Sequence, residues 1–188
     1  MGTVIIEREF AERRSLGDLQ AMRASSAWCL SLHGVVPLRH YLATDGRRMV
    51  CLFRAPDAEA LRRTMLTGRM QPPRHLWPAA IHGTEPSGKA WDGTRQRSLV
   101  VVERALEQPT PFEAVQALED AAPTCFEQRD VRAVASYFSL DRRRMLCLYD
   151  APDAEAVRLA NRLAGLPFDV AWSSRVVIEE GLDADRPA

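Results

Sequence analysis

The chain has 188 residues, a formal charge of zero, 46% apolar residues and 27% charged ones, the profile of a globular protein of one or two small domains. Balanced charge argues against a nucleic-acid footprint and against a polybasic membrane patch. No apolar run reaches the about 20 residues of a bilayer-crossing helix, and MGTVIIEREF at the amino terminus lacks the pattern of an export signal, so a cytoplasmic protein is expected.

The predicted elements alternate from the start. Val4 to Glu9 is a short β-branched run and reads as a strand. Ser15 followed by Asp18 offers a helix N-cap, and Leu16, Leu19, Met22, Ala27 and Leu30 continue in a helical rhythm. Two strands follow, Leu38 to Thr44 and Arg47 to Arg54. Asp45-Gly46 joins them, a pair favoured in two-residue hairpin loops because both positions accept positive φ. Asp57 caps a second helix through Ala58-Glu59-Ala60, and a last strand lies near Ala79 to His82. The order is β-α-β-β-α-β, a split βαβ arrangement.

The chain then writes the same unit again. Arg47 to Arg62 (RRMVCLFRAPDAEALR) and Arg143 to Arg158 (RRMLCLYDAPDAEAVR) agree at 12 of 16 positions, 96 residues apart. The same shift lays Val4-Ile5-Ile6-Glu7-Arg8 on Val100-Val101-Val102-Glu103-Arg104, Cys29 on Cys125 and Tyr41 on Tyr137. In the second copy Thr110 is the expected N-cap, with Pro111 in the first turn and Glu113 completing a capping box. Asp141-Arg142 takes the hairpin turn, Asp153 caps the last helix, Gly165 and Pro167 end it, and Arg175 to Glu179 is the closing strand. The expected divisions are 1–83 for the first unit, 84–97 for a Gly- and Pro-containing linker, 98–181 for the second unit and 182–188 for a tail.

Met49-Val50-Cys51-Leu52-Phe53 and Met145-Leu146-Cys147-Leu148-Tyr149 are apolar at every position, so both faces of each strand must be covered. Two helices cover one face of a four-stranded sheet. The fold expected is therefore α+β: two tandem ferredoxin-like βαββαβ units, sheet facing sheet, as an intrachain pseudo-dimeric α+β barrel.

Ser136-Tyr137, Met145 to Tyr149, Ala151-Pro152-Asp153-Ala154-Glu155-Ala156 and Gly165-Leu166-Pro167 resemble a family of small ferredoxin-like domains. That family includes nickel-binding proteins, and its members pair into α+β barrels. The resemblance extends to the first copy through Tyr41, Cys51 and Ala55 to Ala60, but not to the Gly-x-Pro end. It implies nickel or another metal as one reading. The histidine-rich first strand of the metal-binding relatives has no counterpart here, since Val4 to Phe10 and Leu99 to Leu106 contain no histidine. His33, His40, His75 and His82 show no H-x-H or H-x-x-x-H spacing. No metal site and no cofactor are expected.

Several side chains could carry chemistry. Glu7 and Glu103 are carboxylates in apolar strands; facing a cavity they could act as general acid or base, and otherwise they pair with Arg8, Arg104 or another arginine. Counting back from the Asp45-Gly46 turn, His40 faces Cys51, an imidazole beside a thiol, as in cysteine nucleophiles; a packed thiol beside a hydrogen-bonded histidine has the same spacing. The second copy has Ser136 opposite Cys147. Tyr41 and Tyr137 could offer phenol donors to a ligand. Glu7, His40 and Cys51 are thus the catalytic candidates, with Tyr41, Glu103, Tyr137 and Cys147 as ligand-binding candidates. Trp28, Trp77, Trp91 and Trp172 read as packing, with Trp91 pinning the linker.

The leading expectation is a small-molecule-binding protein, monomer or homodimer, with its pocket between the two facing sheets. A cofactor-independent barrel enzyme (cyclase, isomerase or oxygenase type) acting on an apolar metabolite is the alternative, by analogy of fold.

Overall fold

A computed structural model of the chain describes residues 1–84 and 97–178. Most of the expected linker, with Trp91, lies outside the described residues, as do Glu179 and the tail 182–188. The elements, in order, are β1 Gly2–Glu9, α1 Leu16–Leu32, β2 Val36–Ala43, β3 Arg48–Ala55, α2 Ala58–Thr67, β4 His75–Gly83, β5 Ser98–Ala105, α3 Phe112–Asp120, α4 Pro123–Glu127, β6 Arg132–Ser139, β7 Arg144–Ala151, α5 Ala154–Leu163 and β8 Val170–Ile178. The chain is mixed α+β, and every strand pairing with a described register is antiparallel.

Two compact units result, and the division runs through β4 and β8. Unit 1 holds residues 1–78 and the end of β8 from Val176; unit 2 holds 79–175. Both strands begin earlier than expected from sequence, β4 at His75 and β8 at Val170. Pro78 inside β4 lowers its strand signal.

In unit 1, β3 is paired on both sides. Gly2 faces Ala55 and Glu9 faces Arg48 along β1, while His40 faces Cys51 and Leu42 faces Met49 along β2. The hairpin register expected from the Asp45-Gly46 turn is therefore the one adopted. Its turn differs from the expected form: only Gly46 has positive φ, at 71°. A side chain there would meet the Arg14 carbonyl oxygen at 2.5 Å. The Asp45 carboxylate accepts the Arg47 backbone N–H at 2.8 Å and supports the reversal. α1 begins with a reciprocal capping box: Ser15 Oγ accepts from Asp18 N–H at 3.2 Å, and the Asp18 carboxylate accepts from Ser15 N–H at 2.7 Å. Asp57 caps α2 through Ala60 N–H at 2.8 Å.

Alternation along the strands sorts side chains onto two faces. Val4 and Ile6 of β1, Leu42 of β2, and Met49, Cys51 and Phe53 of β3 pack with Leu19 and Leu30 of α1 and Leu61 of α2. Ile5, Tyr41, Val50 and Leu52 point to the opposite face and are buried as well. Both faces of β3 are thus covered, as its unbroken apolar run required.

Unit 2 repeats these registers with 96 added: Ser98 faces Ala151, Val102 faces Cys147, and Ser136 faces Cys147 from the other side. Its hairpin turn takes the same form, with Arg142 at φ 61° and the Asp141 carboxylate accepting Arg143 N–H at 3.0 Å. The first helical segment of unit 2 differs from that of unit 1. Pro111, not Thr110, is the N-cap of α3, without a side-chain cap bond. The Thr110 hydroxyl instead donates to the Gln108 carbonyl at 2.9 Å. A second helix, α4, starts at Pro123, where α1 runs on unbroken in unit 1. Proline has no amide hydrogen to continue a helix, so a new first turn suits it.

Candidate small-molecule cavity

The nominated side chains lie on both faces of the sheets. In unit 1, His40 and Cys51 lie on the face that α1 covers, with Ile6 and Arg8 beside them on β1. Glu7 and Tyr41 lie on the other face, so the sheet separates Glu7 from the His40–Cys51 pair. Arg8 is for the same reason not the partner of Glu7: neighbours on a strand point opposite ways. Trp77 of β4 donates its indole N–H to the Glu7 carboxylate at 2.6 Å. Unit 2 contains the same bond, from Trp172 of β8 to Glu103 at 2.8 Å. The tryptophans are 95 residues apart and the glutamates 96, so a uniform shift does not align the donors. Tyr41 and Tyr137 are fully buried.

Between α1 and the unit 1 sheet is a cavity of about 340 Å³, towards the lower end of the range for small-molecule sites. Its floor is Ile6, Arg8, His40, Met49, Cys51 and Phe53. Its walls include Leu19, Met22, Arg23 and Ser26 from α1, with Arg69, Met70 and Gln71 from the segment after α2 and Arg14 from the segment before α1. A more open depression of about 590 Å³ adjoins it, sharing Arg23, Ser26 and His40.

The cavity's electrostatics are one-sided. Arg8, Arg14, Arg23 and Arg69 line it, and among the described residues no Asp or Glu does. Arg8 is 5% exposed, and burial pushes its pKa down, against a smaller opposing effect of Cys51. Burial, helped by Arg23 and Arg8, lowers the His40 imidazole to about 4. Burial also pushes the Cys51 thiol up to about 12, with Arg8 holding it back. At neutral pH this is a neutral thiol beside a neutral imidazole, not the thiolate–imidazolium pair of a cysteine nucleophile. The His40 ring also meets Phe53 edge-on, with centroids 6.0 Å apart.

Unit 2 shows what surrounds the equivalent arginine when its acceptors are built in. Arg104 donates to the Asn161 amide oxygen at 2.6 Å, to the Tyr149 hydroxyl at 3.2 Å, to the Pro167 carbonyl, and weakly to Cys147 Sγ at 3.5 Å. The Glu119 carboxylate, its pKa raised by burial, is hydrogen-bonded to Tyr149. Arg8 keeps one of these contacts, donating to the Gln71 carbonyl at 2.5 Å. Subtracting 96 turns Tyr149, Asn161 and Glu119 into Phe53, Met65 and Arg23. Two acceptors become apolar, and the acid becomes a base. The sequence suggests Arg8 and Arg104 only as partners for Glu7 and Glu103. That Arg8 shares a cavity with Arg23 and Phe53 becomes visible once β1, β3 and α1 are packed.

The same geometry offers no metal centre. Among the described residues no three His, Cys, Asp or Glu side chains converge as a metal site. The histidines are engaged apart: His33 Nε2 lies 3.1 Å from the Thr67 hydroxyl, and His82 stacks on Phe112 at 3.7 Å. These residues do not fit a nickel centre.

The family model described as "Nickel responsive protein SCO4226-like" matches residues 101–173, a stretch within unit 2. No curated protein matches the chain. Among solved structures, a putative chlorite dismutase, TA0507, is similar at TM-score 0.50 and 10% identity, over 94% of each chain. An anthrone oxidase-like protein is similar at TM-score 0.50 and 10% identity, over 94% of this chain and 91% of that one. A heme-binding protein from Thermus thermophilus is similar at TM-score 0.47 and 11% identity, over 97% and 94%. At these identities the first two likenesses bear on the fold alone, as mixed α+β chains. No described helix is long and apolar enough to cross a membrane.

Proposed function

We propose that this is a small-molecule-binding protein whose ligand occupies the cavity between α1 and the sheet of unit 1, in contact with His40 and Cys51. The observation that carries the reading is that cavity: about 340 Å³, with buried Arg8 and His40 set in an otherwise largely apolar floor. An apolar pocket with a few fixed polar groups is the usual form of a ligand site. The reading does not depend on the chamber between facing sheets expected from sequence, because every residue it uses belongs to unit 1. Glu7, Glu103, Tyr41, Tyr137 and Cys147 have no part in it. The neutral state of Cys51 and His40 favours binding over nucleophilic catalysis.

Native mass spectrometry of the purified full chain, with elemental analysis, tests the proposal. The expected result is a non-covalent organic adduct that is lost on denaturation and absent from Met70→Trp, whose larger side chain would take up space in the cavity that Met70 lines. Nickel in stoichiometric amount, or an adduct unaffected by Met70→Trp, would refute it.

A further inference from the structure

The two units bury the same arginine and treat it differently. Arg104 has an amide oxygen, a phenol and a carbonyl around its guanidinium. Arg8, equally buried, has among the described residues one carbonyl acceptor, that of Gln71. The remaining N–H groups of Arg8 are not among the buried polar atoms that lack a partner, so they are open to whatever fills the cavity, and a ligand acceptor can replace water there. The cavity opens at this spot, and Arg8, Cys51, Phe53 and Gln71 all line it. Arg23 stands where unit 2 carries Glu119, so the surroundings repel cations and attract anions.

We propose that the ligand is an apolar carboxylate, its carboxylate paired with the Arg8 guanidinium and its hydrocarbon body lying along Ile6, Met49, Phe53 and Met70. The inference rests on the reading of the cavity as a small-molecule site and specifies the chemistry of that molecule. The planar fork of arginine matches a carboxylate with two parallel N–H···O bonds. The carboxylate supplies to Arg8 the acceptors that Tyr149 and Asn161 supply to Arg104. Ile6, Met49 and Phe53 on the floor favour a ligand whose body is hydrocarbon, since burying apolar surface against them is favourable. A cavity of this volume suits a compact aromatic or short aliphatic acid.

The test uses 2-naphthoate and its uncharged counterpart 2-naphthamide, titrated into the full-length protein and followed by calorimetry. Naphthoate is expected to bind at least about tenfold more tightly, the usual size of one charge-assisted hydrogen-bond pair. Arg8→Met should abolish the preference. The triple variant Arg23→Glu, Phe53→Tyr, Met65→Asn rebuilds the unit 2 surroundings and should abolish naphthoate binding, with a thermal melt verifying that it folds. Equal binding of the two probes, or a preference that survives Arg8→Met, would overturn the carboxylate assignment and leave the cavity's binding role standing. Failure of both probes to bind the wild type would overturn both.

Discussion

Replacing Arg104 by methionine should be far more damaging than replacing Arg8, although both arginines are buried on strands with matching registers 96 residues apart. Arg104→Met removes four contacts and leaves the Asn161 amide oxygen, the Pro167 carbonyl and the Tyr149 hydroxyl short of a donor inside the fold. Breaking one side of a buried charged network costs about 3–5 kcal/mol. In a chain of this size each kcal/mol moves the melting midpoint by roughly 2–4 °C, so a fall of roughly 6–20 °C is expected. Arg8→Met removes the bond to the Gln71 carbonyl at the cavity edge. It also removes a desolvated charge, and methionine suits the apolar neighbours. The two effects offset each other, and the net change should lie within about 1 kcal/mol. Differential scanning calorimetry of ligand-free wild type and both variants measures the difference. Equal losses would show that Arg8 is as well satisfied internally as Arg104, and the contrast between the units would fall.

The paired indole–carboxylate bonds predict that Trp77→Phe and Trp172→Phe each destabilise by about 1.5–3 kcal/mol, the range for a hydrogen bond to a charged group; urea unfolding would measure both, and a loss in only one would refute their equivalence. His40 predicts an acid-sensitive fold. Its folded pKa, lowered by burial to about 4, lies below the unfolded 6.5, so the unfolded chain gains the proton first. The stability it contributes is complete above pH 6.5 and lost as pH falls towards 4, by roughly 3 kcal/mol in all. His40→Gln should flatten that part of the stability–pH curve, and an unchanged slope would contradict the burial of a neutral imidazole. Cys51, with its thiol pushed up to about 12, should react with a thiol-disulfide reagent at pH 8 only as fast as the fold opens; a burst of labelling at this residue, located by peptide mapping, would refute its inertness.

Much of the local structure was legible in the residues. Asp45-Gly46 and the flanking alternation determined that His40 lies opposite Cys51. Ser15 with Asp18, and Asp57 and Asp153 before their helices, marked the caps. The unbroken apolar run of Met49 to Phe53 required cover on both faces. Thr110 was misleading, because the helix starts one residue later, with Pro111 as its N-cap, and the Thr110 hydroxyl donates to the Gln108 carbonyl instead. These features act over two to five residues, a range in which turn chemistry, capping and strand alternation are written directly in the chain.

The site depended on other distances. Trp77 reaches Glu7, and Trp172 reaches Glu103, across about 70 residues, and the 95-residue spacing of the indoles conceals their equivalence from a comparison at 96. The changes at 23, 53 and 65 are visible in the sequence as three scattered differences under a shift of 96. Packing brings those at 23 and 53 to the cavity that Arg8 lines, and that at 65 into the core under the same sheet. Sequence alone determined the caps of α1, α2 and α5 and the hairpin register, since those follow from neighbours along the chain, though not the division into α3 and α4. Tertiary structure decided which acceptors each buried charge meets, since burial brings together groups whose separation in sequence carries no pattern.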